Sequence, residues 1–478
     1  MSDVASGFLA QNGLIDPNEA DALLAELAAG DIETVRLAFA DQHGILRGKT
    51  LVREAVRSAF TSGVAVPSTL LLKDTSHRTA FPVWSEDPGI GGTLMRGAGD
   101  VLLVPLPGAF RRLPWSGHSA WLPCDVVFRD GSEIPFAPRA VLRRATQALA
   151  DAGFSALMGL ETEFHVFRRT DPALAHHQTA MPGAPVATKA LVQGYQYLTD
   201  ARYGEAEEVL DQLRRMAQAM DMPLRSIEIE MGPSQFEVTF DPDTPMAHAD
   251  RMVLFRAMVK EVCAKQGLHA SFMPRPRLEN VAANGWHIHQ SLSDRTGRNL
   301  FMPEAENGVS DTASGWLAGL LDHAGASSLL LAPTVNSYKR YLPYQLAPNR
   351  IAWGRDNRGA MLRALFAKGD TASRIENRAP DSAANPHFAF AAQLVAGLDG
   401  VTRALAAPPP TETPYDNDAP FLPGNLGEAI EAFSASSLYQ NALGTDFVSY
   451  LTTLKRFEWQ RYLSTISEWE QAEYFNLL

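Results

Sequence analysis

Short runs in which apolar and polar positions alternate are interleaved along this chain with longer runs of helical period, so strands and helices are both expected. Residues 34–40 alternate as a half-buried strand. Asp41, Gln42, His43 and Gly44 then turn the chain into a second run, 45–51, and the pair reads as a hairpin. A helix precedes them: Asp16 can cap it, Pro17 suits its first turn, Glu19 completes a capping box and Gly30 ends it. Short strands and loops rich in glycine and proline continue to about residue 136. A helix with Pro138 in its first turn and Gly153 beyond its end follows, and strands then alternate with helices at 205–220, 247–266 and 385–405. Residues 406–423 hold six prolines and few apolar side chains, an exposed loop or flap, and a helical region from about 426 to 475 closes the chain. The organisation expected is α+β: an N-terminal helical segment (1–30), a small, mostly β domain (31–132) and a larger domain (133–478) with helices behind a sheet.

Four strand-like runs in the larger part carry the chemistry. They are 159–164 with Glu161 and Glu163, 228–237 with Glu228, Glu230 and Glu237, 286–289 with His287 and His289, and 374–378 with Arg374, Glu376 and Arg378. Residues two apart share a face of a strand, so each run sets its acids and bases on one side and its apolar residues on the other. Four such faces around one cavity would suit Mg²⁺ or Mn²⁺ carrying a phosphate substrate. Each piece alone also has a plainer reading. Glu161 and Glu163 read as acidic decoration of a solvent-facing strand, the histidines as a satisfied pair, and Arg374, Glu376 and Arg378 as a salt-bridge ladder. Gly232-Pro233 should break the strand between Glu230 and Glu237, and spacing alone does not choose between Glu228 and Glu230. Arg340, Arg358 and Arg363 fall in or beside turn-rich sequence; together they can grip carboxylate and phosphate.

Composition narrows the class. With 478 residues, 46% hydrophobic and 20% charged, the chain reads as a globular protein too long for one core. A net charge of −12 argues against broad nucleic-acid binding. No run is apolar enough to span a bilayer, and residues 1–6 do not open a signal peptide, so a cytoplasmic protein without membrane or nucleic-acid partners is expected. Cys124 and Cys263 have no metal-ligand spacing and read as buried thiols in a reducing compartment.

The order and wording of the pieces resemble the glutamine synthetase family over nearly the whole chain. The resemblance rests on Glu161-Thr162-Glu163, on Glu230-Met231-Gly232-Pro233-Ser234-Gln235-Phe236-Glu237 and on His287-Ile288-His289-Gln290-Ser291. It rests also on 332–340, on Asn357-Arg358 through Arg363, and on Arg374-Ile375-Glu376-Asn377-Arg378 leading into 380–386. It implies a β-grasp domain followed by a curved antiparallel catalytic sheet with helices, and resolves the ambiguity against Glu228. By position it implies one metal on Glu163, Glu230 and Glu237 and another on Glu161, His287 and Glu376, within a set of two or three Mg²⁺ or Mn²⁺ ions. His289, Ser291 and Arg374 match nucleotide-binding positions for ATP. Arg340 and Arg378 match residues holding the amino-acid substrate, and Arg358 and Arg363 match residues on the transferred phosphoryl group. Asp74 matches the aspartate that a neighbouring subunit contributes, and the implied assembly is a homo-oligomer of stacked hexameric rings, a dodecamer.

Three departures bear on the substrate. Ammonium-using members carry a flap glutamate six residues after the arginine matched by Arg340; here that residue is Leu346, which can close a site but not bind a small cation. Trp286 stands where methionine is usual, and Ala282-Ala283-Asn284-Gly285 replaces the usual Asn-Gly-Ser-Gly beside the amino acid. Residues 467–475 resemble the tail of the γ-glutamyl-amine ligase branch. The expected activity is therefore an ATP-dependent ligase of amine catabolism, joining the γ-carboxylate of glutamate to an alkyl or aromatic amine through a γ-glutamyl phosphate. An ammonium-using glutamine synthetase, with Glu228 or Asp356 supplying the missing charge, is the enzymatic alternative. A non-catalytic scaffold on the same fold is the alternative from another class.

Overall fold

The computed structural model describes residues 3–171, 173–342 and 346–478. Asp16 accepts the Asn18 amide at 2.8 Å and Pro17 fills the first turn, so the first long helix runs Pro17–Ala29 and stops at Gly30. Glu19 makes no return bond to the Asp16 amide, so the cap is one-sided and not a capping box. The chain then enters β1 (Thr34–Ala40), β2 (Leu46–Val52), β3 (Val64–Pro67), β4 (Asp100–Pro105), β5 (Arg111–Arg112) and β6 (Ser119–Phe128). Their order is β2-β1-β6-β4-β3, with β5 beside β6; β1 and β6 run parallel and the other pairs antiparallel.

A larger sheet follows, built from β7 (Ser155–Arg169), β8 (Thr188–Ala190), β9 (Leu224–Ile229), β10 (Gln235–Asp243), β11 (Leu268–Ser271), β12 (Trp286–Ser293), β13 (Trp353–Arg355), β14 (Leu362–Leu365) and β15 (Arg374–Asn377). The order is β13-β14-β15-β12-β7-β10-β9, and β8 and β11 pair with the far part of β7. Every pair is antiparallel except β13 with β14. Gly232 and Pro233 interrupt the chain between β9 and β10, as proline must inside a ladder.

Helices Pro138–Asp151, Pro245–Lys265 and Pro386–Thr402 each begin on a proline, whose missing N–H costs nothing in a first turn. They cover one face of the larger sheet. Phe164 of β7 and Phe236 of β10 pack there with Phe255 and Phe272, all buried. Burying each such ring contributes on the order of 2–3 kcal/mol. Helix Asp311–Asp322 lies on Pro386–Thr402 at glycines, where a Cβ on Gly400 would meet Gly315 O at 2.0 Å and Gly319 N at 2.6 Å. Beneath β12 and β15 the helices supply a buried polar brace. Gln393 Oε1 accepts from Gln290 Nε2 and Asn377 Nδ2, both at 2.9 Å, and Trp316 Nε1 donates to Gln290 Oε1 at 2.9 Å.

The C-terminal helices return to the smaller sheet. Tyr450, on helix Thr445–Leu463, hydrogen-bonds the Leu71 carbonyl and stacks on Phe136 and Phe81. Residues 406–423 contain no helix and make one isolated bridge, Arg350 to Phe421. No helix among the described residues is long and apolar enough to cross a membrane.

Candidate active site

The register of the larger sheet assembles what the sequence scattered. Glu163 lies opposite Glu237, Glu161 opposite His287, and His289 opposite Glu376, which in turn faces Arg363 on β14. Because alternate residues share a face, these side chains line one side of the sheet while Thr162, Phe164, Ile288 and Ile375 face the helices.

Three overlapping groups of ligand atoms result. Glu163, Glu230 and Glu237 bring one oxygen each within 4.8 Å of one another. The same limit joins Glu161, Glu237 and His287, and also Glu161, His289 and Glu376. His287 Nδ1 is 3.1 Å from Glu161 Oε2 and 3.6 Å from Glu376 Oε1. Arg374 Nε donates to His289 Nδ1 at 3.1 Å, so the proton of a neutral His289 sits on Nε2, facing Glu161 Oε1 at 2.8 Å.

The electrostatics of the two ends differ. Burial raises the Glu161 carboxyl, but hydrogen bonds from His287 and His289 outweigh it and hold the group below the ordinary range. Glu376 is also held low, because His287 and Arg378 overcome its burial. Burial and then the Glu163 charge push Glu230 up to about 8, and burial with Glu163 and Glu161 raises Glu237 well above a normal carboxyl. Three crowded carboxylates, with His287 4.0 Å from both Glu163 and Glu237 as their nearest basic neighbour, form an acid-rich cavity, and hard divalent cations fit that donor set.

Arginines border the row. Arg363 Nη1 donates to Glu376 Oε2 at 2.9 Å and its Nε to Asp356 Oδ1 at 2.9 Å; Arg378 pairs with the other oxygen of Glu376. Arg340 is 3% exposed, donates to the Ala379 carbonyl at 3.0 Å, and keeps a buried Nε without a partner. Arg358 is exposed, makes no ion pair among the described residues, and lies near enough to Tyr197 for its charge to act there. Ser291 and Arg374 line a cleft of about 400 Å³ with Glu161 and His289.

Three expected residues stand elsewhere or apart. Trp286 is not a pocket residue: strand alternation turns it away from His287, and it is buried against Phe390 on the helix side. Asp74 is held by its own chain. Its carboxylate is fully buried, accepts the amides of Ser76 and Arg78, and pairs with Arg461 at 3.1 Å within the same chain. Leu346 is half exposed with φ 54°, and residues 343–345, which complete the count from Arg340, lie outside the described residues.

Other residues join the site without having been assigned a part. Gln235 Nε2 donates to Glu163 Oε2, the Ala283 carbonyl and Asn284 Oδ1, and so ties the acidic pair to the loop before β12. Ser382 Oγ donates to the carbonyls of Glu163 and Gly285 at 2.6 and 2.9 Å. Both lie inside motifs visible in the sequence. Tyr197 carried no such signal; burial and the charges of Glu230, Glu237 and Glu228 push its phenol up to about 12. Glu228 lies opposite Glu237 and accepts from Ser226 Oγ at 2.8 Å, a further carboxylate on the same face.

This fold and this row of carboxylates, imidazoles and arginines define an enzyme class that handles phosphate with divalent cations. Residues 135–474 match the family described as glutamine synthetase, catalytic domain. A gamma-glutamylanilide synthase from Acinetobacter sp is 35% identical, covering 98% of this chain and 99% of its own. A gamma-glutamylethanolamide synthetase, GlnA4, from Streptomyces coelicolor is 34% identical over 96% of both. A glutamine synthetase from Halobacterium salinarum is 33% identical over 95% of this chain and 96% of its own. The solved structure of GmaS without ligand superposes with a TM-score of 0.80 at 28% identity, covering 95% of this chain and 99% of that one. The chain belongs to the glutamine synthetase family. It is a ligase of that family, whose members use ATP and divalent metal ions.

Proposed function

We propose that this enzyme joins the γ-carboxylate of glutamate to an amine with an apolar alkyl or aromatic body, at the expense of ATP and through a γ-glutamyl phosphate. Leu346 carries the reading. Six residues past Arg340 the chain offers an apolar side chain where ammonium would need a carboxylate. A neutral arylamine needs that carboxylate least, and the similarity to a gamma-glutamylanilide synthase supports the same class of acceptor.

Glu163, Glu230 and Glu237 would hold one cation and Glu161, His287 and Glu376 another. Bound there, the cations would neutralise charge on the transferring phosphoryl group. His289, Ser291 and Arg374 would hold the nucleotide. Arg340 and Arg378 would hold glutamate, with Arg378 oriented by its bond to Glu376. Arg363 and Arg358 would meet the phosphoryl oxygens in the transition state, where their charge matters most. The amine then attacks the acyl carbon, phosphate leaves, and the site must exclude water because an acyl phosphate hydrolyses readily. A cytoplasmic homo-oligomer of stacked rings, serving amine breakdown, completes the proposal.

The test is ADP release from ATP, glutamate and Mg²⁺ with ammonium, alkylamines, polyamines, ethanolamine and anilines. Turnover confined to apolar amines is the expected result. Glu228, close to Glu237, favours a second reading in which an acid other than a flap glutamate receives ammonium. Preference for ammonium would establish that reading and remove the first.

A further inference from the structure

On the helix side of the catalytic sheet lies a cavity of about 530 Å³ that the proposed reaction does not use. It opens where three parts of the chain meet: the turn between β1 and β2, the helix Pro245–Lys265 with β11, and the C-terminal helix Thr445–Leu463. None of the carboxylates or arginines assigned to the reaction lines it. Its walls are mostly apolar, with Ile45, Val253, Ala257, Phe272, Pro333 and Val335 among them.

The charges in these walls do not cancel. Lys455 and Glu458 neutralise each other at 3.0 Å, both buried. Arg256 is 8% exposed, and its guanidinium donates only to the carbonyls of Ser382, Ala384 and Gly44, at 2.9, 2.9 and 3.2 Å. Lys260 stands one helical turn on, at the exposed edge of the cavity. Neither Arg256 nor Lys260 makes an ion pair among the described residues. His43 and His269 also line the space, and surroundings that exclude water keep both imidazoles below their usual pKa, toward the neutral form. The buried carboxylates of Asp41 and Asp381 stand near enough for their charge to act on Arg256, yet neither lines the cavity or forms an ion pair with it. On the cavity side two cations border a largely apolar space, an arrangement that an anion relieves. Strongly hydrated inorganic ions are poorly served by apolar walls. An organic anion is served by both features.

The cavity also touches the frame of the active site. Ser382, in its wall, is the residue that donates to the backbone of Glu163 and Gly285. Residues 333–336, also in its wall, run directly into the short helix Ser337–Arg340 that ends on the buried arginine.

We propose that this cavity is a regulatory site for a small organic monocarboxylate with an apolar body, and that filling it alters glutamate use through Ser382 and the segment before Arg340. The carboxylate would lie toward Lys260 and Arg256 and the body along Val253, Ala257 and Phe272. Such coupling between two sites needs only differential affinity for two arrangements of those segments.

The probe is phenylacetate, titrated calorimetrically into the full-length protein with glutamate, Mg²⁺ and a non-hydrolysable ATP analogue present, so that the reaction site is filled. Phenylacetate should bind at least about tenfold more tightly than neutral phenylacetamide, and K260Q should weaken it at least about fivefold. A257F, which fills the cavity, should abolish binding; K260Q alters an exposed side chain and keeps the test decisive should A257F not fold. Bound phenylacetate should shift the KM for glutamate in the ADP-release assay. Equal binding of the amide, indifference to K260Q, or displacement by glutamate would overturn the site, and binding without a change in KM would overturn its regulatory role. The binding measurement stands even if no amine in the panel is turned over, so failure of the proposed reaction and failure of this site are told apart.

Discussion

Glu163 and Gly285 hold each other twice: the Gly285 amide donates to Glu163 Oε2 at 2.7 Å, and the Glu163 amide donates to the Gly285 carbonyl at 3.1 Å. A Cβ at Gly285 would lie 3.1 Å from His287 Nε2, 3.2 Å from Glu163 Oε1 and 3.4 Å from Arg340 Nη2. Glycine at this position lets the Glu163 carboxylate, the His287 imidazole and the Arg340 guanidinium converge on one point. Gly285→Ala should therefore leave folding nearly intact while weakening Mn²⁺ binding and raising the KM for glutamate, each by about tenfold. Calorimetric Mn²⁺ titration and steady-state kinetics check this; unchanged values would show that the contact is incidental.

Metal binding should stabilise the fold, because burial and mutual repulsion raise the Glu230 and Glu237 carboxyls and a bound cation offsets both. At Mn²⁺ concentrations about 100 times Kd the gain is about 2.7 kcal/mol, seen as a rise in Tm that EDTA reverses. Glu237→Gln should raise the apoprotein's Tm slightly, by relieving repulsion, and remove most of the Mn²⁺ response. A full response in that variant would take Glu237 out of the ligand set.

The Leu346 assignment predicts a change of specificity. Leu346→Glu should raise ammonium-dependent ADP release relative to aniline-dependent release by about tenfold or more, since a carboxylate there can accept a small cation. A ratio that does not move would show that this position is outside the amine site.

Gln393 should be a structural residue with a catalytic echo. Gln393→Leu leaves the buried amides of Gln290 and Asn377 without their acceptor, a cost of about 2–4 kcal/mol for the two. Denaturant unfolding should show that loss, with the smaller effect on kcat confined to slackening of β12 and β15.

Acid sensitivity should depend on His248, on the helix Pro245–Lys265. Burial, aided by the Arg251 guanidinium, lowers its pKa to about 4, and Arg251 Nη1 donates to its Nδ1 at 3.1 Å. The unfolded chain binds a proton at this residue near pH 6.5 while the folded chain resists until about pH 4. Stability from this group is therefore complete above pH 6.5 and falls as pH drops toward 4, by about 1–2 kcal/mol between pH 7 and pH 5. His248→Gln should flatten that part of the stability profile, and an unaltered slope would assign the acid loss to other groups.

The sequence by itself determined the elements and the alphabet of the site. Alternation over 159–164 and 286–289 marked strands with one polar face, prolines at 17 and 138 marked helix starts, and the order and wording of the motifs pointed to the family. Trp286 shows the same rule being overlooked: its neighbour His287 faces the cavity, so Trp286 must face the helices. What only the tertiary structure decided was partnership. Glu163 meets Glu237, seventy-four residues on, because antiparallel register sets them opposite, and register depends on which faces the helices cover. The burial of Asp74 on Arg461 and the cavity around Arg256 depend on the helix Thr445–Leu463 returning to the smaller sheet. No local pattern encodes such contacts, because a charged residue reads alike in sequence whether its partner is water or a side chain hundreds of residues away.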